Sequence, residues 1–222
     1  MSLRPALTGT TTNEPEVVIF SLPRLLQLAS PTLPIGAYSY SQGLEAAVEA
    51  GIVADAPSAE RWIADVLELA VARMELAVLR SQLEEPSQAL NDFFLASRET
   101  AELRAETLQM GQSLVKLLAD LGVAVPINEP ALPTAFACAA RAWDISSHEA
   151  AVAYLWSWLE NQVMAALKAV PLGQTAGQKI LLELGGRLEA LVEKEAQWSN
   201  FAPGLAYLSA RHETQYSRLF RS

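Results

Sequence analysis

The chain is expected to fold as an all-α, single-domain orthogonal bundle of roughly eight to ten helices. Three observations carry this. Apolar residues recur at three- and four-residue steps in one segment after another from Ser21 onward. Alternating strand patterns are lacking, and Val, Ile and Thr rarely cluster. Breaks such as Glu84-Glu85-Pro86, Leu121-Gly122 and Pro171-Leu172-Gly173 separate the periodic segments. With 222 residues and no internal repeat, the chain is long enough to bury a sizeable core.

Each segment has its own reason. Residues 1–20 are rich in Thr and Pro with few apolar anchors and read as a disordered N-terminal arm. Leu22, Leu25, Leu26 and Leu28 predict a short helix that stops before Pro31. Glu45–Ala50 predicts another, ending at Gly51. Ser58 precedes a long helix carrying Trp62, Val66, Leu69, Met74 and Ala77. A single helix is expected from about Gln88 to Leu121, and a small-residue segment over Ala131–Trp143 suits close packing. Ser146 and Glu149 have capping-box spacing, and the helix behind them is apolar on nearly every side, fit for a central position or an oligomer interface. A further helix is expected from Pro171 to about Glu195, bending at Gly185-Gly186, and a last one after Pro203.

Between the first two helices lies an unusual stretch, Ser30-Pro31-Thr32-Leu33-Pro34-Ile35-Gly36-Ala37-Tyr38-Ser39-Tyr40-Ser41-Gln42-Gly43-Leu44-Glu45. Two prolines and two glycines restrict and open the backbone in turn, which argues for a rigid turn presenting Tyr38, Ser39 and Tyr40 in one geometry.

Composition narrows the function classes. The formal net charge of −9 argues against nucleic acid and against an anionic membrane surface. Charged residues make up only 18% of the chain, below the roughly 25% of ordinary domains, so another chain is expected to cover some apolar area. Cys138 is the single cysteine, which rules out an internal disulfide and a cysteine-rich zinc site and suits a buried thiol. With no secretory signal and no long apolar run, the chain reads as cytoplasmic.

Motifs for chemistry fail their spacing tests. Gly173-Gln174-Thr175-Ala176-Gly177-Gln178-Lys179 has three residues between its glycines where a P-loop needs four, and no hydroxyl follows the lysine. His148-Glu149 and His212-Glu213 lack the second histidine of a zincin helix. Two histidines and one cysteine are too few for a nickel or zinc site, short of one shared by His212 and a symmetry mate. His212 otherwise reads as a solvated helix residue or a partner contact. The run Glu99–Glu106, interleaved with Arg98 and Arg104, reads as a salt-bridged solvent face. Three readings stay open on the residues alone: a binding adaptor, a metal-dependent helical hydrolase using Glu99 and Glu102, and a purely structural dimer module.

Four strings in order along the chain resemble the UreF family of urease accessory proteins: Ser30–Glu45; Arg98-Glu99-Thr100 with Gln109–Leu114; Pro171–Gln174 with Gly177-Gln178; and His212–Ser222. The resemblance implies an all-α, usually dimeric adaptor without catalysis or a cofactor of its own. It would bridge the UreD/UreH accessory protein and the GTPase UreG on apo-urease and support GTP-dependent nickel insertion. It also implies a helical domain over 21–210 and a flexible tail over 211–222 that orders on UreD/UreH. Partner-binding residues carried over are Tyr38, Ser39, Tyr40 and Glu45 in the first string, Lys168 before the third, and His212, Tyr216, Arg218, Leu219 and Phe220 in the last. For Tyr38, Tyr40 and Glu45 a buried structural turn is the competing reading.

Overall fold

Hydrophobic rows and end-caps together set the helices. The computed structural model describes residues 21–222, all of whose regular elements are helical; the arm expected over 1–20 lies outside the described residues. Helix α1 (Ser21–Ala29) stops before Pro31 as expected and buries Leu28. A 3₁₀ turn (Ala37–Ser39) leads to α2 (Leu44–Glu49) through Gln42 and Gly43, both at positive φ. Gly43 is required there twice over, by its φ of 77° and because a Cβ would press on the Leu205 side chain at 3.3 Å.

The next rod is α3 (Ala56–Val66), a π-helical segment (Leu67–Glu75) and α4 (Leu76–Glu84). It starts earlier than Ser58, because Asp55 is the N-cap and Ser58 its capping-box partner: Ser58 N–H donates to Asp55 Oδ1 at 2.9 Å. The π segment has a cause in the burial pattern. Ile63, Leu67, Val71, Glu75 and Leu79 are buried, and so are Val66, Ala70, Met74 and Val78. Both rows advance by four at every step. In an α-helix each four-residue step drifts by about 40°, so two such rows keep facing the core only if the turn widens. The wider turn brings the Glu75 carboxylate inward.

The helix expected over residues 88–121 is two, α5 (Gln88–Ala96) and α6 (Ala101–Asp120). The break is local chemistry: Ser97 Oγ donates to the Phe94 carbonyl at 2.8 Å, and Thr100 Oγ1 accepts from Leu103 N–H at 3.1 Å as the N-cap of α6. Helix α7 (Leu132–Ala142) lies against α6 and α4. Its alanines at 135, 137, 139 and 140 are fully buried, and Gly111 on α6 lets the backbones touch, since a Cβ there would stand 2.0 Å from the Pro130 carbonyl oxygen.

Helix α8 (Ser147–Ala169) begins at the expected Ser146–Glu149 capping box and is the central element, packed by α1, α2, α3, α4, α7, α9 and α10. Tyr154 meets Phe136 edge-to-face at 5.3 Å. Fully buried leucines such as Leu155 and Leu159 contribute about 2 kcal/mol each. The single helix expected here, bending at Gly185-Gly186, is two, α9 (Gln174–Gly185) and α10 (Leu188–Val192); a Cβ on Gly185 would stand 3.0 Å from the Trp156 ring. Helix α11 (Pro203–His212) closes the order. Cys138 is buried, and burial pushes its thiol pKa up. No helix among the described residues is long and apolar enough to cross a membrane.

Candidate functional site: the loop and tail face

The Ser30–Glu45 loop and the last residues of the chain meet on one face, although some 180 positions separate them in sequence. The tail is docked on its own chain. Arg221 N–H donates to the Ser39 carbonyl at 2.7 Å, and the Ser222 carbonyl accepts from both Ser41 N–H and Ser41 Oγ at 2.6 Å. Glu45 is the anchor. Its carboxylate accepts from Leu219 N–H at 2.6 Å, Phe220 N–H at 2.8 Å and Gln215 Nε2 at 3.3 Å. Hydrogen bonds to an ionised acceptor are the strong ones, so this carboxylate fixes the path of the tail.

Below the tail, His212 is fully buried rather than solvated. Its Nδ1 lies 2.8 Å from Glu102 Oε2 and its Nε2 lies 3.3 Å from Glu45 Oε2. The two carboxylates sit at opposite ring nitrogens, so both edges of the buried imidazole face carboxylates of the same chain. Glu102 Oε1 in turn takes Arg218 Nη1 at 2.8 Å, and Arg218 Nη2 donates to the Glu213 carbonyl. Both oxygens of Glu102 are thus engaged in holding the tail, and the run Glu99–Glu106 is not a uniform solvent face.

Deeper still, Glu106 is 1% exposed. It accepts from Gln42 Nε2 and from Ser222 Oγ, while Gln42 Oε1 accepts from Trp158 Nε1 at 2.6 Å. Gln42 holds a positive φ of 51°, a conformation costly for a non-glycine residue and maintained here by both side-chain bonds. Burial pushes the Glu106 carboxyl up to about 7, against the opposing effects of Ser222, Arg98 and Gln42. Beside it Glu75 pairs with Arg98 at 3.1 Å and accepts from Tyr154 Oη at 2.5 Å, and burial with Glu75 drives the Tyr154 phenol well above its usual range.

The sequence-predicted residues fall into two groups. Tyr38 (65% exposed), Lys168, Leu219 and Arg218 are on the surface of this face. Tyr40, Glu45, His212 and Phe220 are inside it; Tyr40 Oη donates to Gln109 Oε1 at 2.5 Å, and burial raises its pKa. Ser39 acts through its backbone. Lys168 Nζ stands 5.7 Å from the ring centres of both Tyr38 and Phe220, a cation–π clip between loop and tail. Tyr216 is fully exposed and apart from the others. Sequence reasoning missed Gln42, Glu102, Glu106 and Ser222 as members. Gln42, next to Gly43, carried the one available signal.

The carboxylates of this face are bonded to the tail: Glu45 to the Leu219 and Phe220 amides, Glu102 to Arg218 and Glu106 to the Ser222 hydroxyl. Among the described residues no group of three or more His, Cys, Asp or Glu could hold a metal ion.

The UreF family model matches residues 53–185. The chain is 56% identical to the urease accessory protein UreF of Azoarcus sp. (strain BH72), over 92% of this chain and 97% of the relative. It is 53% identical to that of Dechloromonas aromatica (strain RCB), over 90% and 97%, and 51% identical to that of Methylobacillus flagellatus, over 91% and 98%. The chain therefore belongs to the UreF family of urease accessory proteins.

Proposed function

We propose that this chain is a non-catalytic, cytoplasmic adaptor that bridges UreD/UreH and the GTPase UreG on apo-urease and supports GTP-dependent insertion of nickel into the urease active site. The observation that carries the reading is the docked tail: Arg218, Leu219 and Phe220 of one string are held in a fixed geometry by Glu102 and Glu45, and Tyr38 of the loop is exposed. A tail held by hydrogen bonds and one buried ring can exchange its own slot for a partner's surface at modest cost, the energetics of folding-on-binding elements. UreD/UreH takes the tail, and UreG takes the Tyr38–Lys168 side. Nickel is cargo carried by the partners, consistent with two histidines that are both already paired.

The adaptor works as a homodimer. Helix α1 turns Leu22 and Leu26 outward, 54% and 61% exposed. Leu26 lines an open apolar groove of about 400 Å³ with Leu25, Val152, Trp156 and Leu188. A second copy applying the same face buries both leucine rows at once, as an isologous contact does.

Deletion of Arg218–Ser222 tests the tail assignment. The shortened chain loses capture of UreD/UreH while its circular dichroism stays helical; undiminished capture contradicts the assignment.

A further inference from the structure

We propose that the face around Tyr38 receives an acidic segment of a partner protein, which seats one large apolar side chain in the cavity between Tyr38 and Lys168. This rests on the adaptor reading and adds the chemistry of the docking segment.

Two cavities flank Tyr38. One, of about 170 Å³, lies between the loop and α8, floored by Leu33, Met110, Phe136 and Trp158, with Met164 and Lys168 at its wall. The other is an open groove of about 500 Å³ between the loop and α6, with Gln109, Ser113 and Arg221 in its wall. The first is smaller than the roughly 300–1,000 Å³ of small-molecule sites. Its size suits one Leu, Met or Phe side chain, the kind of buried anchor that dominates protein interfaces. Two of its lining apolar groups are exposed, Tyr38 at 65% and Met164 at 46%.

The electrostatics select the partner. The chain has 25 acidic against 16 basic residues, yet neither cavity has an Asp or Glu in its wall. The charges present are Lys168 in one and Arg221 in the other. Among the described residues no carboxylate forms a salt bridge with either; Lys168 rests over two aromatic rings, and Arg221 reaches the Gln109 amide at 3.5 Å and lies beside the Tyr40 hydroxyl, both uncharged. Lys168, exposed over its two rings, keeps its charge available at the rim. An acidic segment is repelled by the chain's overall charge and attracted at this face, which fixes where it lands as well as how tightly. A basic segment would find no counter-charge here.

The test uses the full-length chain co-expressed with the complete set of urease structural and accessory proteins. Benzoylphenylalanine placed at position 164 is photo-crosslinked and the joined partner segment is mapped by mass spectrometry. The expected segment carries net negative charge and at least one large apolar residue. Filling the cavity with Ser157→Phe lowers the crosslink about thirtyfold, the loss of one hot-spot anchor. Lys168→Glu lowers it about tenfold, and reversing one acidic residue of the mapped segment restores it. Circular dichroism of both variants checks that they fold. A crosslink to a neutral or basic segment overturns the proposal, as does a crosslink unchanged by both variants. So does a yield no higher than at exposed position 179 on α9, which lines neither cavity, while the chain still assembles with its partners; the adaptor reading then stands without this docking chemistry. If the chain assembles with none of the urease proteins, the adaptor reading fails and this one with it.

Discussion

Glu106 is where loop, tail and core meet at the level of single residues. Its carboxyl, raised from 4.5 to about 7 by burial, is protonated in the folded chain at a pH where the unfolded chain has released that proton. The folded state binds more protons between about pH 4.5 and 7, so stability falls as pH rises through that window and levels off above it. At about 1.4 kcal/mol per unit the whole effect is on the order of 3 kcal/mol. Arg98, Glu75, Gln42 and Ser222 are the groups that face it. Glu106→Gln keeps the shape and removes the titration. Urea denaturation is therefore expected to show a gain over the native chain that is small near pH 5 and grows towards pH 7.5; parallel pH profiles contradict this. A buried carboxylate on the helix expected to be solvent-facing was not legible in the sequence. Glu99, Glu102 and Glu106 are alike as letters, and only tertiary packing separates the exposed first from the tail-bound second and the buried third.

Among the elements, most of the helices could be read from caps and breaks. Ser146–Glu149 and Pro203 lie where sequence placed them, because those signals are local; at Gly185-Gly186 the expected bend is a full division into α9 and α10. The break at Ser97–Thr100 was not foreseen, since the apolar row continues across it while Ser97 and Thr100 divert the backbone hydrogen bonds. The π segment left a trace, the five-residue step from Leu69 to Met74 within an otherwise three- and four-residue row. Helix α1 supplies an element-level test. If its outward leucines form the dimer seam, Leu26→Asp converts the protein from dimer to monomer in light scattering at micromolar concentration, with helicity unchanged. A variant that stays dimeric moves the seam elsewhere.

For the molecule as a whole, the fold class and the family were legible, but the site's construction was not. The loop and tail strings stood out separately by composition and resemblance; that Glu45 anchors Leu219 and Phe220 is a long-range fact that no local pattern encodes. It changes the roles of the predicted residues. Glu45, Tyr40 and His212 hold the face together from within, and Tyr38, Lys168, Arg218 and Leu219 present it outward. A helical body whose loop and tail share one organised face, with Glu45, Glu102 and Glu106 bonded to the tail, suits the scaffold proposed between other proteins. The central claim is that urease acquires its nickel through that scaffold. Metal analysis of urease purified from cells expressing its structural and accessory proteins, with and without this chain, tests it most directly. The account predicts nickel-poor, inactive urease without the chain, and both nickel and activity restored when it is returned. Full nickel occupancy in its absence would contradict the account.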